Sequence, residues 1–572
     1  MILSPDEQIQ DYTERGWWGE RTLSDLFLED VAQTPDMLAL VDPPNRAALA
    51  PGEPQRLTYA EVKTATERLA KALLEAGVGK DDIVMVQLPN IVELVVTYLA
   101  CARIGAILSP LPMQFRTHEL RQVMGQTEPK VSITAKSFAG HDHVAMVQSL
   151  RPKFPCVTHV IALGDDLPAG VRSLAAILST DADTSRVDAH AAAHPSSANA
   201  VFTVCWPSGT VAEPTGVPRS HNMWIAIAWA TVDGAGLQEG DALLNPFPLV
   251  NMSAIGGMLV PWLLTRGKLA LHQPFDLPVF LGQLGSEAIA YTVAPPVVLN
   301  ILLLRPGLLE HADLSHVRYI GSGSAPLSPW MVAQWQEEHD IPILNLFGAN
   351  EGTALLSDPV DIPDPAERAL FFPRFGVPGF TWSNRVARLI ETKLLDPETR
   401  VVITAPGEPG ELAIRGATVF SGYWKRSDLT EASFDAEGYF LTGDLFAIAG
   451  EGGDRYRFVG RLKDLIIRGG MNIAPEEIEY LLADHPKIQE IAVVGVPDGR
   501  KLGEEVVTAV VIPKEGEEVK LGDLVDFLRA KDIAAYKLPR NLVVVQTLPR
   551  NAVGKVLKRE IRQQLGVDSP ST

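Results

Sequence analysis

Three cysteines, Cys101, Cys156 and Cys205, are all that the 572 residues contain, and no two form a C-x-x-C pair. That scarcity argues against a disulfide framework or a zinc ribbon and favours a reducing compartment. Positive charge is also short: 50 Lys and Arg stand against 70 Asp and Glu, a net charge of −20. A surface that tracks a nucleic-acid backbone needs a basic field, so no nucleic-acid partner is expected. A nucleotide ligand stays open, because it needs only a local positive patch. The most apolar stretch, AIGGMLVPWLLTRG, is too short for a bilayer and is broken by Gly and Pro. The opening MILSPDEQIQDYTERGWW has no basic region followed by an apolar core, so no signal peptide is expected. Together these absences predict a cytoplasmic protein without a transmembrane segment.

What is present is a globular composition, 46% hydrophobic and 21% charged, in a chain too long for one core. Size alone suggests roughly two to four domains. Helix-like and strand-like segments alternate from the start. RLTYAEVKTATERLAKALLEAGV reads as a strand end and an amphipathic helix closed by Gly77. DIVMVQLPN reads as a strand, IVELVVTYLACARIGAILSPLP as helix, Gly105 and buried strand, and AIAYTVAPPVVLNILLL as strand, turn and helix. This predicts α/β subdomains with ligands at the C-terminal ends of parallel strands. Over residues 381–460 short strand-like runs split by Gly and Pro predict a small β-barrel-like subdomain. An α+β unit follows, so the chain divides into an N-terminal region, 1–460, and a C-terminal domain, 461–572.

Four loops carry residues suited to chemistry. PSGTVAEPTGVPRSH (207–221) holds Ser208, Gly209 and Thr210 after an apolar strand and before a helix-like run, a geometry that presents N–H groups to an anion. It contains no lysine. It reads equally as an ordinary turn with Ser220 capping the helix. NLFGANEGT places one carboxylate, Glu351, among glycines, where it could hold Mg²⁺ against phosphate or simply face solvent. In YFLTGDLF, Asp444 could accept from a ribose diol or stabilise its own turn. LPRNAVGKVLKREI lifts Lys555 on a glycine turn, as a cation for developing negative charge or as an exposed helix-start lysine.

Taken in order, PSGTVAEPTGVPRSH, FGANEG, GELAIRGATVFSGYW, YFLTGDL, VGRLKDLIIRGGMNIAPEEIE, VGVPDGRKLGEE and LPRNAVGKVLKREI resemble the signature motifs of the acyl/aryl-CoA synthetase superfamily of adenylate-forming, AMP-binding enzymes. LTYAEV and ARIGAILSPLP resemble two N-terminal motifs of the same family, so nearly the whole chain is covered. The resemblance implies a carboxylic acid substrate with ATP, Mg²⁺ and coenzyme A: acyl-adenylate and pyrophosphate form first, and a thiol then displaces AMP. It also implies a mobile C-terminal domain and a homodimer.

By the same resemblance Ser208, Gly209 and Thr210 would contact the triphosphate and Glu351 would bind Mg²⁺. Asp444 and Arg461 would hold the ribose. Gly323, Ser324, Ala325 and Pro326, with Asn345, Phe347 and Gly348, would line the adenine slot. Lys463 would be the hinge residue, Lys555 the catalytic lysine, and Gly469 and Gly470 the border of the thiol tunnel. The acid would lie among Asn251, Met252, Ile255, Ser322 and Ala349. That lining has no Lys or Arg, which predicts a mainly apolar acid, alicyclic, aryl or medium-chain, and GWWGERTLSDLF and QFRTHELRQVM resemble the aryl and cyclohexanecarboxylate ligase branch. His221 is expected to be structural.

The chain also departs from the pattern. Val211, Ala212 and Thr215 replace a Thr, a Gly and a Lys of the phosphate loop; Asn350 and Asn551 each stand for a Thr, and Lys558 for an Arg. A lysine lost beside a triphosphate removes a charge-assisted contact of about 1–3 kcal/mol. Arg219 could lend a charge. Two further readings remain: an adenylating enzyme that loads a carrier protein's phosphopantetheine, and a nucleotide- or acyl-binding protein that has lost catalysis.

Overall fold

A computed structural model of the chain describes residues 1–180, 184–206, 214–468, 471–497, 505–531, 533, 535–551 and 555–566. Local chemistry sets the first elements. Thr58 and Glu61 form a reciprocal cap that starts the helix Tyr59–Glu75, and the chain turns at Gly77, whose φ of +81° suits a residue without Cβ. The helix Val92–Ile104 ends the same way at Gly105. The strand Ile83–Gln87 is buried at every position, as a strand covered on both faces by helices must be.

Two large sheets form the N-terminal region. One has seven strands, ordered Val217–Ser220, Val201–Cys205, Ile107–Pro110, Ile83–Gln87, Val131–Ala135, His159–Leu163 and Val171–Ser173. The other has eight, with Ala354–Ser357 at one edge, then Ile343–Gly348, Tyr319–Gly323, Tyr291–Val293 and Ala242–Asn245. Its interior pairs, from Ile343–Gly348 through Lys268–Leu271, are parallel. A third sheet of six antiparallel strands runs from Phe371–Pro373 to Arg455–Arg461 and contains the Asp444 strand, Phe440–Ala449. The C-terminal segment builds a separate three-stranded sheet, Ile488–Pro497, Glu505–Pro513 and Asn541–Val544, with the helices Pro475–Ala483 and Leu521–Ala530. It has a core of its own around Ile478, Val493, Ala509 and Leu524. The expected α/β class, with a β-rich part and a smaller α+β unit, is therefore present. Among the described residues no helix is long and apolar enough to cross a membrane.

One expectation needs correction. The segment after Val201–Cys205 does not pass directly into a helix. The chain returns as Val217–Ser220, paired antiparallel with Val201–Cys205, and only then starts the helix His221–Gly234. Val217, with β-branched shape, and the buried Arg219 extend this return strand before Ser220 caps the helix by accepting from Met223 N–H at 3.2 Å. The described strands before and after the loop are thus antiparallel neighbours, and the helix starts only after the second of them.

Candidate active site

A cleft of about 3290 Å³ is lined by residues of the eight-stranded sheet, the six-stranded sheet and the C-terminal segment. Glu351, Asp444, Arg461, Lys463 and Lys555 all line it. Ser208, Gly209, Thr210, Val211 and Ala212, like Gly469 and Gly470, lie outside the described residues. Thr215, at the lysine position, is half-buried and lines the cleft.

Asp444 and Arg461 are register partners on adjacent antiparallel strands, and Arg461 Nε lies 3.0 Å from Asp444 Oδ1. On its other side the pairing with the strand Pro409–Gly416 shifts register between Glu411 and Ala413, so Thr442, Gly443 and Asp444 form a bulge against that strand. A bulge turns side chains away from regular alternation and increases the local twist. Gly443, at φ +69°, donates its N–H to Glu411 Oε1 at 2.9 Å, which fixes the bulge. Burial raises the Asp444 carboxyl to about 6, although Arg461, Lys555 and Lys463 pull the other way. A carboxylate so poorly hydrated gains from any hydroxyl donors a ligand brings.

Lys555 faces the same group of charges. Burial lowers its ammonium to about 8, Arg461 and Lys463 add to the shift, and Asp444 and Asp464 oppose it. Lys463 sits in the short turn Leu462–Asp464 and is also lowered, mainly by burial. The loop that carries Lys555 is anchored from behind by Lys558. Its Nζ lies 2.7 Å from Glu476 Oε1 and 2.9 Å from Glu479 Oε1 on the helix Pro475–Ala483. The two carboxylates hold Lys558 charged, raising its ammonium well above the usual range against the effect of burial.

The Glu351 loop is built from the opposite side. Gly352, at φ +111°, passes so close to the neighbouring chain that a Cβ would sit 2.0 Å from Thr418 O. Glu351 Oε1 accepts from the Tyr423 hydroxyl at 3.1 Å, and burial raises its carboxyl above the usual range. Arg219 grips the loop from below. Its guanidinium donates to Asn350 O at 2.9 Å, Thr418 O at 2.8 Å and Met223 O at 3.0 Å, and stacks on Trp224. Burial lowers it to about 9, and Cys205 and Glu351 oppose that shift without cancelling it. Arg219 therefore supplies charge behind the carboxylate, while Thr215 is the residue at the cleft wall.

The remaining residues divide. Gly323, Ser324, Ala325, Pro326, Gly348, Ala349, Asn251 and Met252 line the cleft. Gly323 admits a close approach, since a Cβ there would lie 2.2 Å from Leu346 O. Phe347 lines the cleft on one side and is braced on the other by Phe372, Phe446 and Phe458, with ring centroids 5.0–5.9 Å away. Asn345 lines the cleft, but its amide donates to the carbonyls of Arg368 and Ala369 at 3.1 and 3.0 Å, which makes it a brace. Ser322 likewise donates to Ala294 O at 2.8 Å. Ile255 is a correction: it is fully buried in the main core, and Gly256 and Gly257 face the cleft instead. Three successive residues of a π-turn cannot share one face, and the branched side chain takes the packed side. Asn251 caps the turn that follows, and Asn350 Oδ1 accepts from Met252 N–H at 2.8 Å, linking the acid-side segment to the Glu351 loop.

The AMP-binding enzyme family matches residues 27–424, and the AMP-binding enzyme C-terminal domain matches residues 477–555. The chain belongs to the AMP-binding enzyme family. Among curated members of this family, the indoleacetate–CoA ligase of Aromatoleum aromaticum is 33% identical over 90% of this chain and 96% of its own. The medium-chain fatty-acid–CoA ligase of Escherichia coli is 30% identical over 97% and 92%. The ATP-bound crystal structure of MatB from Rhodopseudomonas palustris superposes with a TM-score of 0.77 at 26% identity, covering 95% and 99% of the two chains.

Sequence reasoning missed Tyr423 and the grip of Arg219. Tyr423 lay inside a quoted motif, VFSGYW, and its aromatic hydroxyl beside glycine was the signal available. Arg219 lies between Pro218 and Ser220 on what proves to be a four-residue strand, so its burial depended on recognising that strand.

Proposed function

We propose that the protein is an ATP-dependent, AMP-forming acid–thiol ligase that converts a mainly apolar carboxylic acid to its coenzyme A thioester. The observation that carries this reading is the convergence of Glu351, the Asp444–Arg461 pair and Lys555 on one cleft, from three separate parts of the chain. The acid's carboxylate oxygen bonds to the α-phosphorus of ATP as the bond to the β-phosphate breaks and pyrophosphate leaves. The thiol of coenzyme A then bonds to the acyl carbon, loses its proton, and AMP departs. Such displacements need positioning and charge neutralisation more than a covalent catalyst. Lys555 supplies a cation for the carboxylate and α-phosphate oxygens, and Asp444 accepts from the ribose hydroxyls.

Mg²⁺ fits the donors present only as part of a nucleotide complex. Among the described residues no cluster of three or more His, Cys, Asp or Glu could hold a metal by itself. A single carboxylate plus phosphate oxygens and water is the set this ion favours, and Glu351 would be that carboxylate. When bound, the ion neutralises phosphate charge.

The C-terminal unit from residue 461 would turn about Lys463 between the two steps. The apolar lining, together with relatives named for indoleacetate and medium-chain fatty acids, supports an aryl or medium-chain acid. The test is release of AMP and pyrophosphate from ATP with a panel of aryl, alicyclic and medium-chain acids plus coenzyme A. Thioester formation with free coenzyme A supports the reading. Adenylate formation that turns over only with a carrier protein replaces it with the carrier-loading reading, and a folded protein that forms no adenylate with any acid overturns it.

A further inference from the structure

The loop 349–353 joins the antiparallel strands Ile343–Gly348 and Ala354–Ser357 at the edge of the eight-stranded sheet. It closes on itself: Ala349 N–H donates to Thr353 O at 3.2 Å, and Gly352 N–H to Ala349 O at 3.0 Å. It is also fastened from outside, since Phe420 N–H donates to Glu351 O at 2.8 Å and Arg219 to Asn350 O at 2.9 Å. A turn held at this many points shifts as a unit, so a displacement of Asn350 reaches Glu351.

The side chain of Asn350 leaves this loop and meets the acid-side segment. Its Oδ1 accepts from Met252 N–H at 2.8 Å. A backbone N–H can only donate, so the amide is oriented, with its oxygen on Met252 and its NH2 group turned away. That NH2 group donates to none of the described residues and keeps accessible surface, and Asn350 lines the cleft. The threonine usual at this position has one hydroxyl, a bond nearer the backbone, and cannot offer a separate acceptor and donor at this reach.

At the other end of the link, the Met252 side chain lies between two glycines. A Cβ at Gly256 would come 3.0 Å from its Sδ, and one at Gly348 would come 4.0 Å from its Cγ. Asn251, just before it, accepts from Ala254 N–H at 3.3 Å and so fixes the start of the turn. Where the Met252 backbone stands therefore decides where this wall of the cleft stands.

We infer that Asn350 is a positioning residue that couples the acid site to the nucleotide site, so that each ligand binds more tightly when the other is present. This rests on the ligase reading for where the acid and the nucleotide lie. An acid seated against Met252 steadies the Asn350 oxygen, and the closed loop then presents Glu351 and the Asn350 NH2 group already ordered. Less ordering is left for the nucleotide to impose. Such coupling is reciprocal, with one factor in both directions.

The experiment uses the full chain and its Asn350→Thr and Asn350→Asp variants. Calorimetry reads the Kd of phenylacetate, indoleacetate and octanoate with and without the Mg²⁺ complex of α,β-methylene-ATP, whose P–C bond blocks the displacement. In the wild type the nucleotide should lower the Kd of at least one acid about tenfold, and that acid should lower the nucleotide's Kd by the same factor. Asn350→Thr should bring the factor close to one. Asn350→Asp keeps an oxygen for Met252 N–H, so the factor should survive while the added charge weakens nucleotide binding throughout. A factor near one in the wild type, a factor retained in Asn350→Thr, or its loss in Asn350→Asp overturns the assignment. Failure of all three acids to bind overturns it as well, and so does a lowered Tm in Asn350→Thr with the factor unchanged, which makes the link structural only. A factor that depends on Asn350 in a protein that releases no pyrophosphate from ATP supports the coupling and counts against the ligase reading. Pyrophosphate release by a wild type whose factor is one does the reverse, so the two fail separately.

Discussion

Asn551 and Lys555 close a loop on each other. The Lys555 N–H donates to Asn551 Oδ1 at 2.9 Å, and the Asn551 N–H donates to Lys555 O at 2.9 Å. The side chain at 551 thereby fixes the backbone that carries the proposed catalytic cation, and its neighbours Arg550 and Val556 pair as an isolated bridge. Removing the amide, Asn551→Ala, should lower the rate of adenylate formation about tenfold with ATP binding little changed, because a misplaced charge is felt mainly in the transition state. Asn551→Thr, which restores an acceptor, should recover most of it. Single-turnover pyrophosphate release measures both.

The phosphate loop makes a second prediction. Thr215 is half-buried at the cleft wall where the family's usual loop has a lysine. Thr215→Lys should lower the KM for ATP about tenfold, the equivalent of one charge-assisted contact. An unchanged KM would show that the position does not meet the nucleotide.

Lys555 should give the free enzyme a basic limb in its pH profile. Its lowered ammonium, about 8, is charged below that value and neutral above it. The value of kcat/KM for ATP should therefore fall as pH rises through about 8, since it reports the free enzyme. Lys555→Arg, charged throughout, should flatten this limb even if its rate is low, and Lys555→Ala should abolish adenylate formation.

His221 contributes to stability in the opposite sense. Its ring is buried, stacks on Phe202 at 4.9 Å, and accepts from Leu23 N–H at 3.2 Å, and burial holds it down to about 3 against an ordinary 6.5. The fold accepts only the neutral ring, so the stabilisation is complete above pH 6.5 and is lost as pH falls from 6.5 toward 3. Over that window it should cost up to about 1.4 kcal/mol per pH unit. His221→Asn should reduce the acid-side slope of denaturant-derived stability by close to one proton. An unaltered slope would place the proton uptake elsewhere.

Much of the architecture was legible because its signals are local. Thr58 and Glu61 mark a helix start, Gly77 and Gly105 mark ends, and the apolar run Ile83–Gln87 reads as a covered strand. The candidate site was legible in a different way: Glu351, Asp444 and Lys555 were found as ordered motifs, each ambiguous by itself. The failures share one cause. The return strand Val217–Ser220 reads in the sequence as part of the loop before the helix, because four residues are too few to show a period. Ile255 was placed at the cleft because the sequence does not reveal which face of a π-turn packs inward.

The sequence by itself determined the family, the α/β plan and the residue types available to the reaction, since each is written in composition, periodicity and motif order. Tertiary structure alone decided which of them share an environment. Burial gives Asp444 and Lys555 their shifted protonation, and a sheet bulge aims Asp444. Arg219 finds its three carbonyls on three segments far apart in the chain, at Met223, Asn350 and Thr418. Charge, hydration and hydrogen bonding depend on what surrounds an atom, and those neighbours are brought together by the fold.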